Sequence, residues 1–142
     1  MKKLVLMMVA AMITSLTFAQ KLQEKDVPAP VKTAFQKNFP QAKVEKWEKE
    51  GINFEAEFEL NKSEQSVLFD AQGDIIETEI EIEISELPNR ILDYVKKNYI
   101  GQSVKEAAKI TDTKGTLTYE VEIKGMDLLF DSNGKFIKEI KN

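Results

Sequence analysis

The sequence predicts an α+β fold: a tandem repeat of helix plus four antiparallel strands. The two copies form one continuous antiparallel sheet of up to eight strands, with both helices on one face. Three observations predict this. Leu68-Phe69-Asp70-Ala71-Gln72-Gly73 and Leu129-Phe130-Asp131-Ser132-Asn133-Gly134 are the same strand-into-turn signal, 61 positions apart. A proline-led stretch with helical spacing precedes each copy's strands. Between helix and turn lies strict apolar-acidic alternation, the mark of a half-buried strand.

The N-terminus reads as an export signal over residues 1–19. Lys2 and Lys3 precede an apolar run from Leu4 to Ile13, and Thr17-Phe18-Ala19 supplies small residues one and three before a cut at Ala19–Gln20. The run is shorter than the ~20 residues of a membrane span. No cysteine follows it, so a lipid anchor is excluded. The signal holds two of the 20 basic residues and none of the 24 acids, leaving 18 against 24 and a mature net charge of −6. That balance disfavours nucleic acid and anionic membrane as partners.

In the first copy, residues 20–84, Gln20 to Asp26 reads as a polar leader. Pro28 and Pro30 suit a helix's first turn, where a missing amide proton costs nothing. Val31, Ala34, Phe35 and Phe39 recur at helical spacing, and Pro40 ends the helix. Strands follow at Lys43–Lys49, Phe54–Leu60, Ser66–Asp70 and Ile75–Ile84. In the second of these, Phe54, Ala56, Phe58 and Leu60 alternate with Glu55, Glu57 and Glu59.

The second copy, residues 85–142, repeats the order. Leu87-Pro88, Ile91, Val95 and Tyr99 match Val27-Pro28, Val31, Phe35 and Phe39 at an offset of 60. Tyr119, Val121 and Ile123 match Phe54, Ala56 and Phe58 at an offset of 65, so extra residues fall in a longer hairpin loop around Thr111 to Thr116. Features kept through compensating turn lengths mark an internal repeat. Each copy, at about 60 residues without a disulfide, is marginal alone, so the two are expected to share one core.

This pattern resembles the PepSY-like extracytoplasmic proteins, whose fold is similar to the β-lactamase inhibitory protein. The resembling residues are Val27-Pro28, Val31, Phe35, Phe39-Pro40, Ala42, Trp47 and Phe69-Asp70 with Gly73. In the second copy they are Leu87-Pro88, Tyr99, Tyr119-Glu120-Val121 and Phe130-Asp131 with Gly134. The resemblance covers the mature chain and implies an exported tandem protein, in a group mostly of unknown function. In the inhibitor, a concave open sheet face grips an enzyme. The inhibitor's cysteines are absent here, and no contact residue carries over.

The chain has no histidine and no cysteine. It thus lacks the usual neutral-pH base, thiol nucleophiles and most zinc, copper or haem ligands. No nucleophile elbow, phosphate loop or dinucleotide fingerprint is present. An enzyme is not expected, and no cofactor is expected. Paired carboxylates acting on glycans are the catalytic alternative.

Three features remain as candidate sites. Glu77, Glu79, Glu81 and Glu83 form an acidic ladder on one strand face, roughly 6–7 Å apart. It reads as a site for a basic protein patch or a divalent ion, or as a solvated face paired with lysines such as Lys135 or Lys138. Asp70, Asp74 and Asp131 flank turn glycines and are weak metal candidates; the bidentate closing Glu of a calcium loop is missing, and Asp in such turns bonds its own backbone. Trp47, Leu68 and Leu129 fall on the parity opposite the core and would form an apolar patch on the open face, unless a bulge flips a strand or Trp47 covers a sheet edge.

The expected function is an exported non-catalytic binding module that engages a protein or peptide through the open sheet face, with Trp47, Leu68, Leu129, Glu77, Glu79 and Glu81 as contacts. The alternative is a small-ligand or divalent-cation binding protein of the cell envelope. The protein is expected in the periplasm or outside the cell, as a monomer or weak dimer, with no membrane insertion after signal cleavage.

Overall fold

The computed structural model describes residues 19–142; all of the expected signal but Ala19 lies outside these described residues. Nine strands run in sequential order through one antiparallel sheet. They are β1 (Gln20–Leu22), β2 (Val44–Glu50), β3 (Asn53–Leu60), β4 (Ser63–Phe69), β5 (Ile75–Ile82), β6 (Glu106–Asp112), β7 (Leu117–Ile123), β8 (Met126–Asp131) and β9 (Phe136–Lys141). Helix α1 (Ala29–Asn38) precedes β2, and α2 (Asn89–Asn98) precedes β6. Each helix follows a short 3-10 turn, at Glu24–Asp26 and Ile84–Glu86, so the element order repeats.

The ninth strand corrects the reading of Gln20–Asp26 as a polar leader. Gln20, Lys21 and Leu22 pair with Lys49, Glu48 and Trp47 and form one edge of the sheet. Three residues carry too short an alternation to be seen in sequence, and the strand exists because β2 offers an open row of backbone groups.

The helices begin as their prolines require. Pro28 and Pro88 cap α1 and α2 with extended backbone, ψ 139° and 134°, and Phe39 and Tyr99 close them. Val31 and Phe35 on α1 pack with Trp47, Phe54, Ala56, Phe58, Val67 and Phe69. Ile91 and Val95 on α2 pack with Ala107, Tyr119, Val121, Ile123, Leu128 and Phe130. Fully burying a side chain such as Val31 or Ile91 contributes about 1.5–3 kcal/mol. Aromatic edges lock the first cluster: Phe35 meets Phe58 at 5.0 Å and Trp47 at 6.0 Å, both T-shaped.

The register puts both clusters' strand residues on the same side of the sheet. Ala56 opposes Val67, Val67 opposes Thr78, and Thr78 opposes Thr111. Thr111 opposes Leu117, two residues from Tyr119, which in turn opposes Phe130. Directly opposed residues share a face, and so do residues two apart.

Three hairpins use one device. Asp70, Asp112 and Asp131 each accept two backbone amide hydrogen bonds through Oδ1, from the residues two and four positions on, at 2.8–2.9 Å. A glycine at positive φ completes each turn, at Gly73, Gly115 and Gly134.

Candidate functional site: the acidic face of the sheet

The other side of the sheet collects carboxylates from seven strands, β2 to β8, with Glu64 contributed by β4. Glu48 on β2 opposes Glu55 on β3, which opposes Leu68 on β4, which opposes Glu77 on β5, which opposes Asp112 on β6. On the same side stand Glu57, Glu79, Glu81, Glu106, Glu120, Glu122 and Asp127, placed there by the same register. Lys21, Lys46 and Lys138 share this side through their partners Glu48, Glu57 and Leu129.

The centre of this face is buried. Glu55, Ser66, Leu68, Glu79, Ala108, Ile110, Glu120, Asp127 and Leu129 are all at most 6% exposed. Both Glu79 carboxylate oxygens, Glu55 Oε1, Glu120 Oε2 and Asp127 Oδ2 lack a hydrogen-bond partner. Buried acceptors in that state are costly and favour protonation. Burial pushes the Glu55 carboxyl up to about 8, opposed by a hydrogen bond from Ser66 and reinforced by Glu50, Glu57 and Glu48. Glu120 is pushed up to about 8 by burial, then by Asp127, Glu77 and Glu122. Burial, then Glu50 and Asp112, raise Glu77 to about 7. Glu79 is raised strongly by burial, then by Glu120, Glu55, Glu77 and Asp127.

The expected site residues divide. Glu77, Glu79 and Glu81 do share this face. Glu83 leaves the ladder: its backbone amide donates to Glu86 Oε2 at 2.9 Å in a capping box for the 3-10 turn. The lysines proposed as partners, Lys135 and Lys138, are not on a strand beside β5, whose neighbours are β4 and β6. Leu68 and Leu129 have the expected parity, but they are buried and do not face water. In the interior of the sheet each is flanked on both sides, Leu68 by Glu55 and Glu77, Leu129 by Glu120 and Lys138.

Trp47 is a correction. It opposes Ala56 and lies in the α1 core, 7% exposed. A bulge between Val44 and Lys46 inserts one residue into β2, so Val44 and Trp47 fall on the same side. Asp70 and Asp131 spend Oδ1 on turn amides, and Asp74 contributes its own amide to that turn. Sequence reasoning missed Glu48, Glu55 and Glu57, which converge only through the β2–β3 pairing. The pairing of Glu57 with the opposite charge of Lys46 on the neighbouring strand carried no signal in the linear chain.

The fold defines a class: a tandem of helix and antiparallel sheet with a strongly acidic sheet face. The sequence profile of the family described as "Putative beta-lactamase-inhibitor-like, PepSY-like" matches residues 16–77 and 59–138, and the chain belongs to that family. The search of curated proteins finds no significant match. Among solved structures, a "putative periplasmic" protein of Bacteroides eggerthii aligns with TM-score 0.72 and 15% identity over 81% of this chain and 88% of that one. A DUF2874-family protein of Bacteroides uniformis aligns with TM-score 0.70 and 23% identity, over 80% and 88%. A BLIP-like protein of Bacteroides fragilis aligns with TM-score 0.59 and 24% identity, over 80% and 86%. At these identities the likeness is one of fold. Among the described residues, no helix is long and apolar enough to cross a membrane.

Proposed function

We propose that this chain is an exported, non-catalytic binding module of the cell envelope, and that the two helices cover one face of the sheet while the acidic face engages a cationic protein or peptide. The observation that carries this reading is the set of buried carboxylate oxygens without partners on Glu79, Glu120 and Asp127. Arginine or lysine side chains reaching between the strands would supply the missing donors and the missing charge. The half-buried Glu77, Glu81 and Glu122 stand beside them and would meet the partner first. Leu68 and Leu129 form the apolar floor between these carboxylates. Family membership and the periplasmic designation of a structural relative support the export reading. The absence of histidine and cysteine supports the non-catalytic one.

Affinity capture tests it. Residues 20–142 are immobilised and exposed to the extracytoplasmic fraction of the source cells, beside a Glu77→Lys, Glu81→Lys double variant of verified fold. A defined basic protein held by the native chain and lost by the variant supports the reading. Identical retention by both chains overturns it.

A further inference from the structure

The β2–β3 pairing builds a square of four charged residues at one end of the acidic face. Lys46 opposes Glu57, and Glu48 opposes Glu55. Glu48, Glu55 and Glu57 each bring a carboxylate oxygen within 4.8 Å of the other two. Lys46 Nζ answers part of this charge, at 2.6 Å from Glu48 Oε1 and 3.3 Å from Glu57 Oε1. With all three carboxylates ionised, one ammonium leaves the square two charges short. Glu55 is 1% exposed and takes a hydrogen bond from Ser66, while its Oε1 has no partner.

We propose that Glu48, Glu55 and Glu57 bind a single calcium ion. The donors are all carboxylate oxygens, which suit hard divalent cations and not zinc or copper. Oxygens bound to one calcium at roughly 2.4 Å can be up to about 5 Å apart, so the observed spacing fits without strand movement. Magnesium demands a near-ideal octahedron at roughly 2.1 Å and gives up its water reluctantly, which a three-carboxylate site suits less well. The ion would give Glu55 Oε1 the partner it lacks and neutralise the two excess charges of the fully ionised set. Lys46, with a 37% exposed side chain, is free to swing into solvent as the ion enters. The site is distinct from the turn aspartates, whose inward oxygens are already spent on backbone amides. It is also distinct from Glu77 and Glu81, so partner capture and calcium binding can fail separately.

The test is calcium titration of residues 20–142 in metal-free buffer by calorimetry, with terbium luminescence sensitised by Trp47, the chain's single tryptophan, as a second readout. The expected result is one calcium per chain, competing with terbium and preferred over magnesium. Glu55→Gln should weaken binding roughly tenfold or more by removing one of three ligand charges. Lys46→Met should tighten it by about fivefold, because an internal competitor is gone. Should Glu55→Gln fail to fold, Glu57→Gln, at a half-buried position, replaces it. Absence of binding up to about 10 mM calcium, above the range of weak extracellular sites, overturns the proposal. Binding that the glutamine variants leave unchanged, or terbium binding that calcium does not displace, also overturns it.

Discussion

Gly73 lies so close to Pro30 that a Cβ built on the glycine would sit 2.6 Å from the proline carbonyl oxygen. The β4–β5 turn is thereby pressed against the first turn of α1. The second copy repeats the contact more loosely, where a Cβ on Gly134 would meet Ile91 Cγ1 at 3.3 Å. Helix and distant hairpin are joined by a backbone approach that only glycine allows.

Gly73→Ala should therefore destabilise the protein by about 3 kcal/mol, combining a left-handed backbone at φ +89° with a clash against main chain that cannot rotate away. Gly115→Ala has the same backbone cost but meets nothing within 4 Å, and should lose only about 1 kcal/mol. Urea denaturation of both variants checks the difference. Equal losses would show that the Pro30 contact contributes nothing.

Trp47→Ala should cost about 3–5 kcal/mol, the usual range for deleting a buried aromatic. It packs edge-on against Phe35 and beside Leu22, so the loss should loosen the β1 edge as well. Hydrogen exchange at Gln20–Leu22 would report this. Unchanged stability together with a lost partner would return Trp47 to the surface role the alternation suggested.

The acidic face makes stability fall as pH rises. Glu77 and Glu120, held at about 7 and about 8, keep protons in the folded chain that the unfolded chain releases near 4.5. The folded state thus binds more protons between pH 4.5 and 8, and unfolding free energy declines across that window. In metal-free buffer, Tm should be higher at pH 5.5 than at pH 8.5. A difference of 1 kcal/mol corresponds to roughly 4 °C in a domain of this size. Glu79→Gln should raise stability at pH 8.5 and flatten the profile, because it removes a buried charge surrounded by Glu120, Glu55, Glu77 and Asp127. A profile that rises towards pH 8.5 would contradict this account.

Asp131→Ala should cost about 1 kcal/mol, since it removes the acceptor for the Asn133 and Lys135 amides. Its calcium titration should match that of the native chain. A calcium response lost in this variant would move the cation to the turns.

Much of the fold was legible because it rests on local rules. Pro28 and Pro88 start helices, Gly73 and Gly134 turn hairpins, and Phe54 to Leu60 alternates with the strand period. Those signals located both helices and eight of the nine strands among the described residues. The acidic ladder Glu77, Glu79, Glu81 was visible for the same reason, since residues two apart on a strand share a face. The edge strand Gln20–Leu22 was invisible, because three residues carry no period and only β2 gives them a partner.

By itself, the sequence determined the tandem repeat, the element types and the excess of acid. Tertiary structure decided which residues meet. One inserted residue in β2 carried Trp47 from the acidic face into the core, because side-chain parity along a strand reverses with every added residue. Register across six strands gathered Glu55, Glu79, Glu120 and Asp127 into one buried set, and the β2–β3 pairing closed Lys46, Glu48, Glu55 and Glu57 into a square. Such encounters depend on the hydrogen-bond register between neighbouring strands, and no pattern within a single strand encodes that register.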